Sequence, residues 1–198
     1  MVKRLLMVSL VVLCMASVAG AVTVGKATLP DSITVAGENL VLNGAGIREK
    51  KVVLVTVDIY AAGLYLKSKT TDAQAIIDAD ETMALKIQII SSLITSERFV
   101  EAVVVGFEEA TGGNTAPIQK EIDMFLSVFA EEIKPDDVFD IQYVKGVGTK
   151  VYKNGKAEPE VVVAGLPIKK ALFGIWLAPR TEKAMQNLGR DLLGISPK

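Results

Sequence analysis

The chain has 198 residues, half of them hydrophobic and 23% charged, which is enough apolar material for one packed core and too much for a disordered chain. It has no histidine and a single cysteine, Cys14, so imidazole bases, Cys–His nucleophile pairs, zinc clusters and disulfide frameworks are all excluded. The formal charge of −1, with no long basic run, leaves no electrostatic footprint for nucleic acid or for an anionic membrane surface.

Residues 1–21, MVKRLLMVSLVVLCMASVAGA, read as a secretory signal. Lys3 and Arg4 precede an apolar stretch, and Ala19-Gly20-Ala21 supplies the small residues a signal peptidase requires. The alternative is a retained anchor, since no charge interrupts Leu5 to Val24. Cleavage would remove Cys14 and leave one domain over 22–198 without cysteine, in the periplasm or outside the cell. After cleavage nothing implies stable membrane insertion.

Leu29 to Leu42 reads as short strands and turns broken by Pro30-Asp31 and Gly37-Glu38-Asn39. Asn43-Gly44-Ala45-Gly46 reads as a tight turn. Val52 to Tyr60 is a β-branched strand that continues through Leu66, past a possible bend at Gly63. Strict alternation puts Thr56, Asp58 and Tyr60 on one face. Thr71-Asp72-Ala73-Gln74 opens a short helix ending near Asp78. Met83, Leu85, Ile87 and Ile89 alternate as a half-buried strand.

Thr95 or Ser96 caps a helix with Phe99, Val103 and Phe107 on one side. Pro117 opens another, carrying Ile118, Ile122, Phe125 and Phe129. These aromatics read as core. Phe139, Ile141 and Tyr143 alternate in a strand, and Asn154-Gly155 signals a hairpin between Val151-Tyr152 and Val161–Val163. Leu166 to Leu177 is an apolar helical turn or two. Thr181 caps a last helix ending near Gly194, with Pro197 as its stop. Lys50-Lys51 and Lys169-Lys170 are short basic pairs expected at the solvated surface. No phosphate-binding glycine loop is present, so no nucleotide cofactor is implied. Acidic pairs such as Glu131-Glu132 lack metal-ligand spacing. Strands joined by hairpin signals, with helices in consecutive pairs, predict an α+β fold: a largely antiparallel sheet packed against a helical layer.

Two runs carry a resemblance. LNGAGIREKKVVLVTVDIYAAGLYL (42–66) contains a Gly-Ala-Gly-x-Arg segment and a Gly-x-Tyr-Leu ending, and ALFGIWLAPRTEKAMQNLGRDLLG (171–194) has a helical segment followed by a final helix. Both resemble parts of chalcone isomerase-like domains, closest to their secreted bacterial branch. The resemblance implies an open-faced sandwich with an apolar cleft between sheet and helices. In the plant enzymes an arginine in the Gly-Ala-Gly-x-Arg segment stabilises an oxyanion during chalcone cyclisation, with a strand threonine, a tyrosine, an asparagine and a late hydroxyl. In fatty-acid-binding relatives the same arginine, with tyrosine at the threonine position, holds a carboxylate.

On that pattern Arg48 takes the arginine position and Tyr60 the threonine position. The remaining polar positions fall near Phe99, Gly106 and Ile175, which carry no hydroxyl or amide. The resemblance therefore implies a non-catalytic binder of a long-chain fatty acid or similar amphiphilic anion. Arg48 and Tyr60 would hold its head group, with Phe99, Ile175 and Trp176 as pocket lining. The alternative is an isomerase of chalcone isomerase type, an intramolecular lyase, with Arg48 as oxyanion stabiliser. A third possibility is an envelope protein with a filled core and no cleft. A guanidinium against apolar surface requires an anion. Asp58, on Tyr60's face by alternation, could supply one internally and leave no role for a ligand.

Overall fold

The computed structural model describes residues 20–195. β1 (Ala21–Val24) and β2 (Ala27–Pro30) form a small hairpin of their own. The main sheet follows chain order: β3 (Ser32–Val35), β4 (Glu38–Val52), β5 (Val55–Leu66), β6 (Met83–Ile89), β7 (Val138–Val144), β8 (Gly148–Lys153) and β9 (Val161–Val163) each pair antiparallel with the next. The helices are α1 (Ala73–Asp78), α2 (Ser96–Ala110), α3 (Gln119–Leu126), α4 (Leu166–Leu177) and α5 (Lys183–Leu192). The fold is α+β, an antiparallel open sheet with helices packed on it. Gly20 and Ala21 belong to the first hairpin, where the Asp31 amide donates to the Gly20 carbonyl at 2.8 Å. The rest of the expected signal segment, and Pro197, lie outside the described residues.

Alternation sorts the strands between two cores. Met83, Leu85, Ile87 and Ile89 of β6 face the helical layer, where they meet Phe99, Phe107, Phe125 and Phe129. The opposite face holds a smaller cluster that includes Leu40, Leu42, Tyr65 and Val144. The β1–β2 hairpin lies on that side: the Tyr65 hydroxyl donates to the Pro30 carbonyl at 3.0 Å. Asp72 caps α1 by accepting from the Ala75 amide, and Thr95 caps α2 by accepting from Arg98.

Several local expectations are corrected. Asn43–Gly46 is not a turn but the interior of β4. The chain instead reverses at Val53-Leu54, inside the stretch read as one continuous strand. Helix α4 has 12 residues, more than a turn or two. Glu182, not Thr181, occupies the N-cap of α5, and the Thr181 hydroxyl reaches Glu109 at 3.4 Å. Asn154-Gly155 follows β8 but leads into a longer connection over 154–160 before β9.

Lys169 overturns its surface assignment. It is fully buried, because its ammonium donates to the carbonyls of Ile76 (2.7 Å), Ile77 (3.0 Å) and Ala79 (2.7 Å) at the end of α1. A cation at a helix C-terminus satisfies carbonyls that the helix itself cannot bond. The faces of Phe173 and Tyr143 complete its surroundings at 5.3 and 5.7 Å. Burial, reinforced by the neighbouring Lys170 charge, lowers its pKa from 10.5 to about 8.

Candidate functional site

The site begins with two glycines. Gly44, Gly46 and Arg48 share one face of β4, and α5 lies directly on the first two. A Cβ at Gly44 would collide with the Asp191 carbonyl oxygen and lie 2.6 Å from that of Leu192, and one at Gly46 would lie 2.5 Å from the Asp191 side chain. Only glycine lets the helix settle this close. The far end of α5 is pinned by Asn43, whose side-chain amide donates to the Leu192 carbonyl at 2.8 Å. The N-terminus of α5 is thereby delivered beside Arg48.

A β-bulge shapes the opposite strand. Arg48 pairs with Tyr60, whereas Glu49 pairs with Asp58, so Ile59 is the additional residue. Bulges re-aim side chains. Here Ile59 and Tyr60 both turn into the same cavity, and Asp58 is placed on the other face, beside Gly25 of the β1–β2 turn. Simple alternation therefore fails at this one residue, and Asp58 does not take the role of Arg48's partner.

The cavity occupies about 780 Å³ between β4–β5, α2 and the α4–α5 region. Phe99, Val103, Ile175, Trp176 and Met185 form much of its apolar wall. Arg48 and Tyr60 stand in that wall side by side. Phe99 packs edge-on to Tyr60 with ring centroids 6.4 Å apart. Gly106 lies behind the wall, where its missing side chain admits Ile175; a Cβ there would sit 2.7 Å from Ile175 Cγ2. Phe107, Phe125 and Phe129 belong to the packed core.

The guanidinium of Arg48 is met by a carboxylate that the sequence reading did not single out. Its Nη2 lies 2.7 and 2.6 Å from the two oxygens of Glu182, and its Nη1 donates to the Glu49 carbonyl. The partners differ in environment: the Arg48 side chain is 14% exposed and that of Glu182 52%. Tyr60 is buried, and its oxygen accepts the Trp176 indole N–H at 3.1 Å. Burial raises the phenol's pKa, with the Trp176 bond only partly opposing it, so the hydroxyl keeps its proton. Among the described residues that proton has no acceptor, and it is available to a guest.

A second guanidinium also went unread. Arg180 lines the cavity, with its Nε 2.7 Å from Glu109 Oε2 in an ion pair that lacks hydrogen-bond alignment, and its Nη1 donating to the Gly106 carbonyl at 3.4 Å. The signal was present in Arg180-Thr181-Glu182, three polar residues between two helical segments. Among the described residues no group of His, Cys, Asp and Glu side chains could hold a metal ion.

A family model described as chalcone isomerase-like matches residues 21–194. The chain belongs to the chalcone isomerase-like family. Among solved structures it is similar to a fatty-acid binding protein of Arabidopsis thaliana, with a TM-score of 0.68 over 88% of this chain and 96% of that one. The two are 19% identical, a level at which the likeness speaks for the fold. No curated protein matches the sequence. In this family member the Gly-Ala-Gly-x-Arg segment is thus a seat for α5 that ends in a cavity-wall arginine.

Proposed function

We propose that this protein binds a long-chain fatty acid or similar amphiphilic anion without catalysing its conversion, and that it does so outside the cytoplasm, as residues 1–21 lead one to expect. One observation carries the reading: Arg48 and Tyr60, paired across β4 and β5, present a fixed cation and a free phenolic proton beside the apolar wall of Phe99, Val103, Ile175, Trp176 and Met185 in a cavity of ligand size. The fatty-acid binding neighbour points in the same direction.

Glu182 shows that the Arg48 guanidinium takes a carboxylate, since its Nη2 alone already donates to both Glu182 oxygens. Ligand entry is then an exchange in which the guest carboxylate replaces that of Glu182, which swings into water. Exchanging one carboxylate for another is nearly balanced, so affinity comes from the chain. Each buried methylene contributes ~0.8 kcal/mol, and a dozen give on the order of 10 kcal/mol before ordering costs. Arg48 and Tyr60 fix the orientation. The alternative, an isomerase, would need groups that act on a transition state. Phe99, Gly106 and Ile175 offer none.

Native mass spectrometry of wild type and Arg48→Ala tests the proposal. The variant should keep the melting temperature to within a few degrees, because Glu182, the partner left behind, is half in water and a pair with one such member contributes about 0–1 kcal/mol. It should lose the co-purifying or added fatty acid. Undiminished binding by the variant would remove the anchor. Chalcone turnover that disappears in Arg48→Ala would favour the isomerase instead.

A further inference from the structure

The β4–β5 hairpin carries Val52 and Val53 to the edge of the cavity and ends in the most water-exposed large apolar residues described: Val53 is 85% exposed, Leu54 90% and Val55 60%. Two-residue hairpin turns normally use glycine or asparagine where φ is positive. Val53 instead holds φ at 56°, a conformation in which a β-branched residue is strained. The tip is thus apolar against both its turn geometry and its exposure to water. Its charges are sorted as well. Glu49 and Asp58 pair across the strands on the face turned from the cavity, whereas Arg48 and Lys50 belong to the cavity face.

Across the mouth, exposed Leu93 and Val105 stand with Arg98 on the opposite rim. Two acidic side chains, Glu101 and Glu182, line the same cavity, the second paired with Arg48. The chain as a whole carries no basic footprint, but locally a greasy tip flanked by Lys50 and Lys51 matches an interface where acyl chains lie beneath anionic head groups. We propose that this hairpin tip docks the protein on an anionic lipid bilayer, opening the cavity towards the leaflet. Docking stands on the hairpin alone; only the nature of the cargo exchanged there rests on the binding function proposed above.

Leu54→Trp in the full chain places a local reporter at the tip, independent of any contribution from residues 1–21. The probe is vesicles of phosphatidylcholine mixed with phosphatidylglycerol, with or without bromine on the acyl chains, and wild type corrects for Trp176. The added emission should shift to the blue on these vesicles and be quenched by the brominated lipid. K50Q/K51Q in the same background should raise the vesicle concentration needed about thirty-fold at low salt, roughly five-fold per lysine. A tip emission that stays at its aqueous wavelength would overturn the proposal. An equal response on phosphatidylcholine alone would overturn the anionic surface. A blue shift that grows with protein concentration without vesicles would assign the tip to a second copy of the chain. Fatty-acid binding read separately by native mass spectrometry keeps failure of docking distinct from failure of the cavity assignment.

Discussion

Arg48 and Lys169 both carry a positive charge away from water, one in the cavity wall and the other on the buried side of α4, and their partners differ in kind. Lys169 is held by three backbone carbonyls that cannot leave without unravelling the end of α1. Arg48 touches the carbonyl of adjacent Glu49, but its counter-charge is one side-chain carboxylate that is half in solvent. The first arrangement fixes a structure, whereas the second leaves a cation whose partner can be replaced. Burial alone therefore says little about function; the mobility of the counter-charge separates a clamp from a binding group.

The largest expected effect breaks the fixed side of this contrast. Lys169→Met leaves several buried carbonyls without donors at about 1–3 kcal/mol each, so a loss of roughly 3 kcal/mol is expected. In a chain of this size that is a fall of roughly 6–12 °C in the thermal midpoint. An unchanged midpoint would deny Lys169 its structural role. Gly44→Ala acts on the other side without touching either charge. Its methyl meets helix backbone, so about 1–3 kcal/mol should be lost as α5 lifts, measured by urea unfolding. The same lift should weaken the contact between Arg48 and Glu182.

Glu182→Gln sharpens the contrast by removing the competing carboxylate alone. Fatty-acid affinity should rise about five-fold, near 1 kcal/mol, in a fluorescent displacement titration. Weaker binding would mean that Glu182 helps to hold the guest. The smallest effect is a pH slope. The pKa of Lys169 is lowered on folding, so between about pH 8 and 10.5 the unfolded chain binds more protons and stability attributable to this group rises with pH. Urea midpoints of wild type should gain on those of Lys169→Met across that window; a difference that shrinks instead would contradict the assigned direction.

Much of this fold is legible in the sequence because its elements obey simple periods. β6 alternates without interruption and sits as its alternation requires, and Phe99, Val103 and Phe107 line the buried side of α2 as their spacing demands. Period-based reading fails where tertiary contacts decide. Gly44 and Gly46 resemble a turn locally, but their smallness serves a helix that arrives from nearly 150 residues away, as the Asn43–Leu192 bond marks. The bulge at Ile59 reverses which face Asp58 occupies, and no local residue announces it. Lys169 looks like half of a surface pair until the end of α1 is packed against it. In the site, Arg48 and Tyr60 stand out through their setting in the Gly-Ala-Gly-x-Arg run and the strand after it. Arg180 and Glu182 show locally only as polar residues between two helical segments, and their partners appear only in three dimensions.

The neighbour-by-neighbour order of the main sheet has a consequence in time. Each strand can zip onto the one made just before it, so β3 to β9 can form progressively as the chain becomes available. The cavity cannot, because α5, the last helix described, closes back onto β4, the second strand of that sheet. Until those final turns dock, Arg48 faces water and the wall stands open. Completion of the cavity is thereby the closing act of folding, and a half-made chain has no finished wall for the guest proposed above.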